Sequence, residues 1–127
     1  VRLVRDREPE RMVRRGEVRW ARHEQAGHRP VVVVSVDRFN ERAEMAIVVP
    51  LTSRDKWSPP LQVALGMVGK KPAYALPGHT RTVSVESLGQ VLGVVDEAIV
   101  ERCLDAFLEI CGRRPRPSVS TNEGGSP

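Results

Sequence analysis

The sequence predicts a mainly β chain, a β-rich α+β fold in which a small antiparallel, barrel-like sheet is followed by one C-terminal helix. Three observations predict it. Valine occurs in short clusters, at Val31 to Val34, Val48–Val49 and Val94–Val95, and β-branched residues in short runs favour strands. Loops bearing proline or glycine separate those runs, at Lys56 to Pro60 and at Gly66 to Pro72. Only after residue 96 does an apolar side chain recur every four positions. A chain of 127 residues has room for one domain. Aromatic residues make up 4% of it, so the core has to be built from Val, Leu, Ile and Ala.

Residues 1–14 are charged, carry Pro9 and show no clean period. They read as a dispensable N-terminal extension, with Met12 as a candidate start. Structure is expected from Gly16. Glu17 to Ala21 reads as a strand and Arg22 to His28 as a polar connection. Pro30 to Val36 is a nearly continuous apolar run, which suits a central strand buried on both faces. Asp37 to Glu44 reads as a polar turn and Met45 to Leu51 as the next strand. A short strand is expected at Gln62 to Leu65, then a basic, glycine-bearing loop from Gly66 to Pro72, with Ala73 to Leu76 pairing beyond it. Thr80 to Val85 alternates, and Gln90 to Val95 is the last strand. Asp96 offers an N-cap and Glu97 suits a first turn. Ile99, Cys103, Phe107 and Cys111, with Val100, Leu104 and Leu108 beside them, give an amphipathic helix with one face on the sheet. Gly112 stops it, and Pro115 and Pro117 prevent its continuation. The domain is thus expected over residues 15–112, with 113–127 a flexible tail.

Composition and spacing exclude several classes of function. The formal net charge of +4 favours phosphate-rich partners through counterion release, and serves solubility equally well. Cys103 and Cys111 lie eight residues apart on one predicted helix, roughly 12 Å between Cα atoms. A disulfide needs less than about 7 Å, so both read as small buried apolar residues of a reducing compartment. No run of about 18 apolar residues occurs, nor an apolar signal core at the start; a cytoplasmic protein with no membrane contact is expected. His23, His28 and His79 are scattered, and neither Cys-x-x-Cys nor His-Glu-x-x-His is present. No metal and no cofactor are therefore expected. A phosphate-binding Gly-rich loop and a Gly-x-Ser-x-Gly elbow are also absent.

Two polar segments at strand ends are left as candidate chemistry. Glu24-Gln25-Ala26-Gly27-His28-Arg29-Pro30 enters the most apolar strand. Pro30 fixes the backbone there, so Arg29 is held at the end of a rigid element. Its plainer explanation is an edge arginine paired with Glu24 or Glu44. Val48-Val49-Pro50-Leu51-Thr52-Ser53 is an apolar strand ending in two adjacent hydroxyls. Its plainer explanation is turn chemistry, since Ser and Thr bond to nearby backbone.

Taken together and in order, these segments resemble the MazF/PemK toxin family. The resemblance runs from Arg15-Gly16-Glu17-Val18 through Gly27-His28-Arg29-Pro30-Val31-Val32-Val33-Val34-Ser35, Phe39-Asn40, Val49-Pro50-Leu51-Thr52-Ser53 and Arg81-Thr82-Val83-Ser84 to Leu88-Gly89 and the terminal helix. It implies an SH3-like barrel, a homodimer, and the toxin of a type II toxin–antitoxin system that cleaves single-stranded RNA without a metal. The cognate antitoxin would be acidic, and DNA binding would belong to the toxin–antitoxin complex. The family's arginine before proline falls on Arg29, its hydroxyl after the strand on Thr52, and a glutamate that assists on Glu24. Two departures from the family pattern stand out: a shorter connection from Trp20 to Glu24, and Gly78-His79 where Asp-Gln is common.

These residue types suit the reaction. Arginine stays protonated and offers forked donors to phosphate oxygens. A threonine hydroxyl can hold a phosphate oxygen or the 2′-OH, but it is a poor base. The base is then Glu24, with His28 as its rival because its unperturbed pKa lies near neutrality. Ser53, Arg54, Lys56, His79 and Arg81, together with Lys70 and Lys71, can follow an RNA backbone. Trp57 can stack a base or cap the barrel mouth. Two other functions fit the same sequence: a CcdB-like gyrase-binding toxin that cleaves nothing, and a non-catalytic RNA-binding barrel.

Overall fold

The valine run is the spine of the sheet. In the computed structural model, which describes residues 1–3, 12–23 and 27–114, Val31 to Val34 are shut off from solvent and alternate between two core clusters. Val32 and Val34 join Val18, Val49, Leu51 and Leu65 on one side; Val31 and Val33 join Val13, Ala21, Ala46 and Val48 on the other. The run is thus covered on both faces, as its lack of a polar alternation requires.

The strands are β1 (Arg2–Leu3), β2 (Glu17–His23), β3 (Gly27–Val33), β4 (Met45–Thr52), β5 (Val63–Val68), β6 (Lys71–Ala75), β7 (Arg81–Ser84) and β8 (Leu88–Val94); the helices are α1 (Asp37–Ala43) and α2 (Glu97–Ile110). Every pairing is antiparallel, in the order β1-β8-β2-β3-β4-β6-β5, with β7 joining β4. β4 is the branch point. Its first half, Met45 to Val48, pairs with β7, and its end, Leu51–Thr52, pairs with β6. The result is the expected mainly β architecture, a curled antiparallel half-barrel with a C-terminal helix. α2 buries Val100, Cys103 and Ala106 in the first cluster, the stripe its period implies. Among the described residues no helix is long and apolar enough to cross a membrane.

Several elements differ from the sequence reading. Asp37 to Ala43, read as a turn, is the helix α1. It has no apolar stripe because it docks through one polar side chain. The buried Asn40 donates from Nδ2 to Val13 O at 3.0 Å and to Ser35 O at 3.3 Å, while its Oδ1 accepts from the Ser35 hydroxyl. Val13 is itself in the core, and Arg2–Leu3 pairs with β8, so contacts of the fold reach back into the segment read as an extension. Gly66 to Pro72, read as a loop, is most of a hairpin. Gly66 adopts φ 96° at an irregularity of the β5–β6 register; a glycine inside a strand marks a bulge as often as an end. Cys111 is exposed rather than buried, while Cys103 is buried, and neither forms a disulfide. Asp96 stands at the N-cap of α2 but its side chain makes no capping bond. That helix end is tied instead by Arg15, which pairs with Glu97 at 2.5 Å and Glu101 at 2.9 Å and donates to Val34 O at 2.7 Å. The tail from residue 115 lies outside the described residues.

Candidate active site

The site is positioned by strand register. Val33 lies opposite Val48, Val32 opposite Val49 and Val31 opposite Pro50. Side chains alternate along each strand. The ladder ends at that last pair; Arg29 lies two residues beyond it on β3 and Thr52 two residues beyond it on β4, and both line the same cleft. The valine pairs of the two strands thus lead both polar strand ends to the same end of the sheet.

Arg29, Thr52 and Ser53 border one cleft of about 480 Å³. Pro30, Leu51, Trp20 and Leu92 give it an apolar side from the central strands. The β5–β6 hairpin supplies the rest, through Val68, Gly69, Lys71, Pro72 and Ala73. Among the described residues its charged lining side chains are both cationic, Arg29 and Lys71, and neither a carboxylate nor an imidazole lines it. Among the described residues Arg29 has no hydrogen-bond or ion-pair partner, so neither Glu44 nor another described carboxylate holds it. Its donors face solvent and are free to meet an anion. The Thr52 Oγ1 accepts from the Arg54 backbone N–H at 3.2 Å. This turn bond orients the hydroxyl and leaves its proton available to a ligand.

The remaining sequence candidates fall elsewhere. Glu24 lies outside the described residues. His28 is exposed on β3 and is not among the residues that line the cleft. Arg54, Lys56 and Trp57 are exposed on the loop after β4, again outside the cleft lining. That loop is closed by Gln62, whose Nε2 donates to Asp55 Oδ1 at 3.0 Å, and the Lys56 ammonium sits 5.9 Å from the centre of the Trp57 ring. His79 ends the short turn Pro77–His79, which packs with α2. Arg81 is opposite Val48, four residues back along β4 from Thr52, or about 13 Å. Its Nε is buried without a hydrogen-bond partner among the described residues. Two cleft residues had no place in the sequence-derived catalytic site. Trp20 gave one readable signal, a tryptophan in the middle of a strand; Lys71 was grouped with other cations and nothing singled it out. Among the described residues no cluster of three His, Cys, Asp or Glu side chains could hold a metal ion.

Over residues 14–111 the chain matches the profile of a family described as PemK-like, MazF-like toxin of type II toxin–antitoxin system. No curated protein sequence matches it. Among solved structures it is similar to a MazE–MazF complex from Deinococcus radiodurans, at 22% identity over 86% of this chain and 100% of that chain, with a TM-score of 0.67. It is also similar to an endoribonuclease in complex with its cognate antitoxin from Mycobacterial species, at 25% identity over 84% of this chain and 98% of that one, with a TM-score of 0.66. The Mycobacterium tuberculosis toxin MazF-mt6 shares 17% identity over 77% and 98% of the two chains, with a TM-score of 0.67.

Proposed function

The chain belongs to the PemK-like, MazF-like toxins of type II toxin–antitoxin systems, and from that premise we propose that it is a metal-independent, sequence-specific endoribonuclease of the cytoplasm acting on single-stranded RNA. The observation that supports the reading is one cleft lined by Arg29 from β3, Thr52 from the end of β4 and Lys71 from the hairpin.

RNA brings its own nucleophile. The 2′-oxygen loses its proton to a base and attacks the adjacent phosphorus in line. The bond from phosphorus to the 5′-oxygen breaks, and that oxygen leaves with a proton. The products are a 2′,3′-cyclic phosphate and a 5′-hydroxyl, and no water or metal is consumed. Arg29 stabilises the extra charge on the non-bridging oxygens, where a fixed forked donor is most effective. Thr52 donates its hydroxyl to a phosphate oxygen or holds the 2′-OH in line. Glu24, in the short connection before β3, is the first candidate for the base, and His28 the second.

The partner that restrains this activity is proposed to be a cognate antitoxin with an acidic, apolar-anchored segment that folds over the cationic cleft. The active form is proposed to be a homodimer. Incubating the purified protein with a long single-stranded RNA in EDTA tests the reading. Cleavage leaving cyclic phosphate ends is the expected result. RNA binding without cleavage, or gyrase binding without either, would replace it with a non-catalytic barrel or a CcdB-like toxin.

A further inference from the structure

We propose that Trp20 is the platform on which an RNA base stacks inside the cleft, and that Lys71 holds a phosphate beside it; this rests on the reading of the cleft as an RNA site. The indole is in an unusual place. Val18, two residues earlier on the same side of β2, is fully buried in the cluster under α2. Trp20 continues that side past the cluster and stays 38% exposed. Its neighbours are arranged to leave the ring open rather than to cover it. Across one strand boundary it faces Pro30, a rigid apolar edge that also lines the cleft. Across the other lies Gly89, which places no side chain beside Trp20. A bulky, half-open aromatic in a strand gives up part of its burial energy, and in a cationic cleft its face suits an unpaired base.

Lys71 supplies the matching charge. It is exposed at the start of β6, next to the Gly69–Lys70 turn of the hairpin. Among the described residues it has no carboxylate partner. Because Arg29 comes from β3 and Lys71 from the hairpin, the two cations reach the cleft from different elements. A nucleotide between them would have phosphate contacts from two elements and Trp20 as an apolar seat for its base. Trp57, the other tryptophan of the chain, is more exposed but lies outside the cleft and lends its ring to Lys56.

The two tryptophans make the proposal measurable. Each is replaced by phenylalanine in turn, and intrinsic fluorescence is titrated with a randomised 2′-O-methyl RNA 12-mer pool, which binds but lacks the nucleophile. The protein carrying Trp57→Phe should show saturable quenching, and the one carrying Trp20→Phe should show none. Trp20→Leu should weaken binding roughly 5- to 150-fold, and Trp20→Phe should restore most of it, because stacking needs a ring and not an indole. Lys71→Gln should lower the slope of log affinity against log salt by about 0.7, the value for one phosphate contact on a single strand. Thermal melts of each variant separate these losses from unfolding. Quenching that follows Trp57, or an unchanged salt slope without Lys71, would overturn the proposal. Cleavage of the unmodified pool is followed in parallel. Cleavage without Trp20 quenching overturns the base contact alone, whereas quenching without cleavage supports the contact and overturns the nuclease reading.

Discussion

Replacing Arg29 with alanine separates the chemical step from the fold. The side chain is exposed and bonded to nothing among the described residues, so its loss should change stability by no more than about 0.5 kcal/mol. Its proposed role is confined to the transition state, where a single preorganised donor to developing charge is worth about 3–4 kcal/mol. That predicts a fall of roughly 10²- to 10³-fold in single-turnover cleavage with an unaltered melting temperature. Arg29→Lys should recover only part of the loss, since an ammonium keeps the charge but not the fork. The assay is cleavage of an end-labelled single-stranded RNA by excess protein, with a thermal melt of the same sample. A folded Arg29→Ala protein that cleaves within threefold of the parent would refute the assignment, and with it the argument that the β3–β4 register builds the site.

Thr52→Val keeps the β-branched shape and removes the hydroxyl, so cleavage should slow by about 10- to 100-fold while the affinity for uncleavable RNA stays the same; equal rates would leave Thr52 as a turn residue. Burial pushes the Cys103 thiol up to about 11, whereas Cys111 is exposed. A thiol reagent at pH 8 should therefore modify one cysteine quickly and the second only after unfolding, and two fast thiols would contradict the packing of α2. The hydrogen bond from Arg15 holds the Glu97 carboxyl below its ordinary 4.5, so the stabilisation is full above that value and is lost as pH falls through the lowered one. Glu97→Gln should cost under about 1 kcal/mol at pH 7, the scale of an exposed pair, and the deficit should shrink as pH falls through the lowered value; a deficit that does not shrink in acid would mean that the pair is not its source. Deleting residues 1–13 should destabilise the protein more than deleting 1–11, by about 1.5–3 kcal/mol for the buried Val13 side chain; coincident urea curves for the two truncations would place Val13 outside the core.

Much of the fold was legible because it is written in periods. The valines of β3 and β4, and the four-residue repeat of α2, bury the surfaces their spacing implies. What escaped was what polar contacts decide. α1 is held by the amide of Asn40, a single polar residue in a polar stretch, and no apolar count can register it. Gly66 marks a bulge inside a strand where glycine usually suggests a loop. Arg29, Thr52 and Ser53, singled out by the family resemblance, sit at the ends of apolar runs and line one cleft. Lys71 is one lysine among several on a hairpin that sequence did not resolve. Trp20 entered the sequence reading only as one end of the short connection to Glu24, and its place in the cleft needed the structure.

The branching of β4 has an evolutionary reading. One edge of the strand is committed to β3, through Val48, Val49 and Pro50. The other edge hands its last two residues to the β5–β6 hairpin. The strand therefore carries both walls of the cleft, and Thr52, a proposed reacting residue, is shared with the hairpin through its pairing with Tyr74. The tip at Gly69–Lys70 lies at the far end of that hairpin and can be lengthened, shortened or recharged without changing this pairing. Under the proposed function, a lineage built on this plan can change which RNA enters the cleft and keep the residues proposed to cut it.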